Sequence, residues 1–296
     1  MPTELKELIH KKRPNLSDSS VVTYTSILKN LYFRVFNSKE IDVKKFDETE
    51  PILTHLKGLP PAKRKTILSA LVVITDDKKY RDLMLEDIKA YTEDINKQEK
   101  TESQKENWIE PSHLTDVLGD LKKHALFLYK KKELTNDDYQ SIQNYIIICL
   151  LGGNYIPPRR ALDYVNFKIQ NIDKEHDNYL LKNELVFNSY KTHKCYGEQK
   201  VTCPPELLKI LKKWISINPT DTLLFDTKRL QLSSVQLNQR LNKIFGSTSG
   251  KSINQLRKSF LTNKFQSTIK ENQVINDTMA AMGSSKSQLP TYVKKE

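Results

Sequence analysis

Residues 95–107 read INKQEKTESQKEN, and after Ile95 they contain no apolar side chain. Such a stretch adds nothing to a core, and the composition of the chain changes across it. Charges of both signs without periodicity mark residues 96–107 as a linker or an exposed helical extension. The full chain of 296 residues is long enough for roughly two cores. The expected division is therefore 1–95, a linker over 96–107, and 108–296.

The first part carries helical periodicity. In LSDSSVVTYTSILKNLYFRVF, Ser17 stands where a helix cap is needed, and Val21, Tyr24, Ile27, Leu28 and Leu31 recur at helical spacing. In PPAKRKTILSALVVI the prolines open a helix, Lys63, Arg64 and Lys65 fill its first turn, and Ile67, Leu68, Leu71 and Ile74 form the face to be buried. YRDLMLEDIKAYTEDI supplies a further helix. Three to five such helices make an all-α domain.

From Trp108 the pattern is mixed. HLTDVLGDLKKHALFLYKKK and DDYQSIQNYIIICLLGGN read as helices, NYLLKNELVFNSYK and QKVTCP as short strands around turns, and PPELLKILKKWISI as a proline-initiated helix. SVQLNQRLNKIFG and SINQLRKSFLTNKF are helical again. Helices, a small antiparallel sheet, then helices describe an α+β domain, preceded here by the all-α one.

Composition narrows the function. Lys and Arg number 48 against 36 Asp and Glu, a formal charge of +12, which points to a polyanionic partner: nucleic acid first, an anionic membrane surface second. No run of 18 apolar residues exists and the first residues, MPTELKELIHKKRP, lack the apolar stretch of a signal peptide, so an intracellular protein with no membrane partner is expected. Three cysteines form no CxxC pair and six histidines show no ligand spacing, so neither a disulfide framework nor a metal site is expected.

Four stretches hold residues able to act on a phosphate. In IPPRRALDY, Arg159 and Arg160 follow an apolar helix and a Gly-Gly turn. An arginine there needs an anion, either Asp163, three positions past Arg160, or a ligand phosphate, whose oxygens suit the planar guanidinium fork. SYKTHK sets Lys191 and Lys194 between two strands, SINQLRKSF sets Arg257 and Lys258 on an amphipathic helix, and MGSSKSQLPTY ends in Tyr292 after a polar lead-in.

In that order these motifs resemble the tyrosine recombinase (phage integrase-like) family, over 105–296 as catalytic domain and more loosely over 15–95 as a core-binding domain. Arg160 with Asp163 matches the family's first arginine and its acidic partner, and Lys191-Thr192 its hairpin lysine. CPPELLKIL matches the helix after the return strand. Asn254-Gln255-Leu256-Arg257 stands where His-x-x-Arg is usual, and Met282-Gly283-Ser284-Ser285 before Tyr292 where Leu-Gly-His-Ser is usual. The Lys/Asn-rich style is similar to integrases of large DNA viruses and their satellite elements, which would place the protein in a host nucleus or cytoplasm.

The resemblance implies site-specific cleavage and rejoining of DNA through a 3′-phosphotyrosyl intermediate, without metal, ATP or other cofactor. In it Arg160 and Arg257 clamp the phosphate, Tyr292 attacks, Lys191 protonates the leaving 5′-oxygen, and Asn254 and Ser284 add hydrogen bonds. Arg159, Lys63, Arg64, Lys65, Lys194 and Lys258 are the expected contacts to double-stranded DNA, on which a dimer to tetramer would assemble. A type IB topoisomerase-like enzyme uses the same residue types. Asparagine and serine at the two usual histidine positions fit a catalytically weakened DNA-binding derivative as well, since neither shuttles a proton near neutral pH.

Overall fold

The computed structural model describes residues 2–294, which divide between Glu99 and Lys100 into two compact units. In the first unit the helices are α1 (Pro2–Lys12), α2 (Asp18–Phe36), α3 (Thr49–Leu56), α4 (Pro61–Thr75) and α5 (Lys78–Asn96), with a 3-10 turn over Val43–Asp47. Their boundaries follow from local chemistry. Ser17 accepts a hydrogen bond from the Ser20 backbone N–H to start α2, and Asn37, at φ 50°, ends it. Pro61 opens α4, Asp76 at φ 60° closes it, and Asp77 caps α5. Of the expected apolar faces, Val21, Leu28, Leu31, Leu68, Leu71 and Ile74 are buried, together with Leu5, Ile9, Phe46, Ile52, Leu56 and Tyr80.

Arg64, expected as a contact to DNA, is engaged within the unit. Its Nε and Nη2 donate to the two oxygens of Asp87 at 2.8 and 2.6 Å, joining α4 to α5, and the Asp87 side chain is 2% exposed. Helical periodicity put Arg64 in a basic first turn but held no sign of a carboxylate 23 residues on.

The second unit contains α6 (Glu102–Glu106), α7 (Pro111–Leu128), α8 (Asn136–Leu151), α9 (Ala161–Val165), α10 (His193–Tyr196), α11 (Pro205–Ile217), α12 (Ser234–Ile244), α13 (Ile253–Lys264), α14 (Gln266–Ala281) and α15 (Leu289–Tyr292). Its centre is α8, where Ile142 and every residue from Tyr145 to Leu151 are buried, with α7 packed alongside. Trp214 of α11 stacks on Phe225 and donates its indole N–H to the Leu223 carbonyl at 2.9 Å.

Four short strands, β1 (Phe167–Lys168), β2 (Asn178–Leu181), β3 (Glu184–Phe187) and β4 (Gln199–Thr202), lie in the order β1-β2-β3-β4. β2–β3 and β3–β4 are antiparallel, as expected, but β1 runs parallel to β2, so the sheet is mixed. The buried Asn178 explains how this edge is held. Its Nδ2 donates to the carbonyls of Asp163 and Ser189, and its Oδ1 accepts from the backbone N–H groups of Asn188 and Ser189, all at 2.7–2.8 Å. The arrangement is α+β. Among the described residues no helix is long and apolar enough to cross a membrane.

Two stability predictions follow from these contacts. Asp87→Ala, which strands the Arg64 guanidinium, lowers the unfolding free energy of the first unit by ~3–5 kcal/mol, and the apolar pair Arg64→Met with Asp87→Leu restores most of it, both read by denaturant titration. In the second unit, Asp138 accepts from Lys131 Nζ at 2.8 Å and from the Thr135 backbone N–H at 2.9 Å. These bonds, the lysine's first, hold its carboxyl at about 2, below the ordinary 3.8. A depressed folded-state pKa contributes stability that is present above about pH 4 and lost as the pH falls towards 2. Unfolding free energies measured from pH 2 to 6 therefore fall less steeply on the acid side in Asp138→Asn than in the wild type.

Candidate functional site

At the end of α8 the chain turns through Gly152 and Gly153 before reaching the two arginines. Gly153 has φ +84°, and a β-carbon there would lie 2.4 Å from the ring of Phe260 on α13. Only glycine fits this backbone and this approach. The turn is tied to α13 a second time, by Arg257 Nε donating to the Pro158 carbonyl at 3.2 Å. Two contacts from one face of α13, Phe260 and Arg257, thus fix the segment 153–158 that delivers Arg159 and Arg160.

Arg159 and Asp163 form the ion pair of this region, at 2.8 Å, with side chains 17% and 2% exposed. The carboxylate that the sequence offered to Arg160 is taken by Arg159 instead. Arg159 also donates Nη1 to Gln199 Oε1 at 2.9 Å and lies over the Phe187 ring at 4.0 Å and the Tyr190 ring at 5.2 Å. Its donors face a carboxylate, an amide and two aromatic faces, which hold the guanidinium in place. Burial pushes the Asp163 carboxyl above its ordinary value, and the pull of Arg159 opposes that shift. Its Oδ1 is buried without a hydrogen-bond partner.

Arg160 occupies the N-cap of α9, and its backbone carbonyl accepts from the Asp163 N–H at 3.2 Å. Among the described residues its guanidinium has no hydrogen bond and no ion pair. Arg257 feels the same neighbourhood: burial lowers its pKa first, repulsion from Arg160 lowers it further, and Asp163 opposes both. Three guanidinium groups therefore share one carboxylate, and that carboxylate is bonded to Arg159. Among the described residues Arg160 and Arg257 are left as partly buried positive charge with no ion pair, the electrostatic condition for holding a phosphate.

Lys191 is exposed at the start of the β3–β4 connection, next to Tyr190, whose ring covers Arg159 and whose hydroxyl donates to the Gly197 carbonyl at 2.6 Å. Lys194 lies further along the same connection, on α10, and is exposed. On α13, Asn254 and Lys258 are exposed. Ser284 is partly buried after α14, its N–H donating to the Met279 carbonyl at 2.8 Å. Tyr292 ends α15 and is 59% exposed. Among the described residues no hydrogen bond links Tyr292 or Ser284 to either arginine. The structure thus brings together Arg159, Arg160, Asp163 and Arg257, sets Lys191 beside the ring that covers Arg159, and carries a partly buried Ser284 and an exposed Tyr292 on the segment after α14.

In the first unit, Lys63 is exposed, while Lys65 places its ammonium 3.1 Å from the centre of the Tyr91 ring. Residues that the sequence reading passed over are Gln199, Phe187 and Tyr190, which hold Arg159, and Phe260, which holds the glycine turn. Phe187, Gln199 and Phe260 sit at ordinary strand or helix positions and Tyr190 in the β3–β4 connection, where nothing in local pattern separates a supporting side chain from a core one. Among the described residues no group of three His, Cys, Asp or Glu side chains is placed to bind a metal ion.

No family model matches the chain, and no curated protein matches it in sequence. Solved structures do. XerA recombinase is similar over 89% of this chain and 84% of its own, at 14% identity and a TM-score of 0.33. XerH site-specific recombinase bound to its difH substrate in a pre-cleavage complex is similar over 89% and 85%, at 15% identity and a TM-score of 0.40. A lambda integrase (75–356) dimer bound to a COC′ core site is similar over 86% and 82%, at 12% identity and a TM-score of 0.40. All three are tyrosine recombinases, and it is to that family that the chain is similar in structure, at identities and TM-scores too low for the likeness to carry anything about activity.

Proposed function

We propose that the protein is a site-specific DNA strand transferase of the tyrosine recombinase type. The observation that carries this reading is the pair Arg160 and Arg257, which have no ion pair among the described residues because Asp163 is bonded to Arg159. A DNA phosphodiester is a single negative charge with poor leaving groups, so its cleavage needs cations on the non-bridging oxygens, an in-line nucleophile and an acid for the departing oxygen. Arg160 and Arg257 supply the first. The Tyr292 oxygen attacks phosphorus, losing its proton to solvent, and the bond to the 5′-oxygen breaks as Lys191 protonates it. A 3′-phosphotyrosyl link and a free 5′-hydroxyl result. Attack by the 5′-hydroxyl of another strand reverses the step, releases Tyr292 and returns the proton to Lys191, with bond energy conserved and no cofactor consumed. Asn254 and Ser284 add hydrogen bonds to the phosphate.

In this reading the first unit grips one side of the duplex through Lys63 and Lys65, Lys194 and Lys258 contact the backbone from the second, and two or four protomers assemble on the DNA. Arg64 belongs to the fold, through Asp87, and Arg159 positions Arg160. A second reading, a DNA-binding protein that has lost strand cleavage, is favoured by one observation: Tyr292 has no hydrogen bond to either arginine among the described residues. The two readings differ in a single product.

Incubated with nicked duplexes carrying its cognate site, the protein forms a covalent adduct that survives denaturing electrophoresis, and Tyr292→Phe forms none. Binding without an adduct would support the second reading, and relaxation of plasmid without sequence preference would support a type IB topoisomerase-like enzyme. Lys191→Ala slows cleavage by about 10²–10⁴, and a substrate with sulfur in place of the 5′-bridging oxygen restores it, because a thiolate leaves without an acid. Failure of the sulfur substrate to restore cleavage would remove Lys191 from the acid role.

A further inference from the structure

A second basic site lies where α8, the turn 226–231 and α12 meet. Arg240 of α12 donates Nη2 to Gln140 Oε1 of α8, and Gln140 in turn donates to the Asp226 carbonyl at 3.2 Å. The Nη1 of Arg240 is buried and has no hydrogen-bond partner. Among the described residues no ion pair includes Arg240.

The one acid whose charge Arg240 feels, Asp226, is already occupied. Its Oδ1 accepts from the backbone N–H groups of Lys228 and Leu230 at 2.8 and 3.0 Å, and its Oδ2 from Gln236 Nε2 at 3.3 Å. Burial lowers the Arg240 guanidinium to about 10, and the charge of Asp226 opposes that shift. A buried donor left unpaired costs the full desolvation of that group, so such an atom points to a water or ion that completes it.

Arg240 lines a cavity of about 200 Å³ together with Lys243, Asp226, Thr227, Gln236 and Gln239. That volume holds several water-sized groups. Two cations face one carboxylate that is already bonded, and the amide and hydroxyl groups beside them can donate to oxygen. We propose that this cavity is an oxyanion site that binds a phosphate group, separate from the Arg160–Arg257 pair. Arg240 supplies the fixed inner charge and Lys243, exposed on the same helix, the outer one. The phosphate comes either from a free phosphate or phosphomonoester, or from the backbone of a bound duplex.

The test uses the full chain carrying Arg160→Gln and Arg257→Gln, so that the candidate active site contributes nothing. Thermal unfolding is followed while inorganic phosphate is titrated against sodium chloride at matched ionic strength. The expected result is a saturable, phosphate-specific rise in Tm, with binding about tenfold weaker in Lys243→Met and lost in Arg240→Met. Lys243 is at the surface, so its variant keeps the test open if Arg240→Met fails to fold. In the otherwise wild-type chain, the slope of log affinity for duplex DNA against log salt falls by about one in Lys243→Met if the phosphate belongs to the duplex, and is unchanged if it is free. Absence of phosphate-specific stabilisation together with an unchanged DNA salt slope would overturn the proposal. So would equal stabilisation of parent and variants.

Discussion

The ion pair between Arg159 and Asp163 decides what the neighbouring charges can do. Arg159 is half of a buried pair and lies on Phe187 and Tyr190, so its position is set by packing as well as by charge. Having taken that carboxylate, it leaves Arg160 and Arg257 as positive charge with no ion pair among the described residues. Removing a guanidinium from water is costly unless an anion replaces the water. The fold meets that cost for Arg159 within the protein and leaves it open for Arg160 and Arg257, where the proposed reaction puts a phosphate diester. The same logic extends to Arg240, whose nearest acid is also bonded elsewhere.

Rigidity and freedom are divided between different parts of the second unit. The arginines hang from the buried helix α8 and from α13, joined through the Gly153–Phe260 approach and the Arg257–Pro158 hydrogen bond. The tail is the opposite. Along the 16 residues of α14 only Met279 is buried, and Tyr292, Val293, Met282 and Val274 are all more than half exposed. In the proposed reaction the charge stabilisers need fixed positions, since misplacement by about 1 Å can cost 10²-fold in rate. A nucleophile that arrives on a lightly packed segment can be brought up by the DNA itself or by another protomer.

Much of the fold was legible because it rests on short-range rules. The Ser17 cap, the proline starts of α4 and α11, the hairpin of β2 and β3 and the buried faces at Leu28 and Leu71 each follow from spacing or from one residue's chemistry. What was not legible depends on choices between near-equivalent neighbours or on distant partners. At the start of α9, Asp163 lies three residues from Arg160 and four from Arg159, and both spacings bring side chains onto one helix face. Gln199 and the rings of Phe187 and Tyr190, all distant in sequence, settle the choice for Arg159. Arg64 was drawn inward by Asp87 in the same way. The parallel β1 depends on Asn178 bonding to the carbonyl of Asp163 and to the chain beyond β3, which no strand pattern encodes.

The division of labour between the adjacent arginines is the central claim, and paired measurements on Arg160→Gln and Arg159→Gln test it most directly. Single-turnover cleavage of a nicked cognate duplex and unfolding free energy are recorded for both. The account predicts that Arg160→Gln loses about 10²–10³ in cleavage rate with its stability nearly unchanged, and that Arg159→Gln loses stability as its buried carboxylate is stranded. Cleavage at the wild-type rate by Arg160→Gln, or full stability in Arg159→Gln, would contradict it.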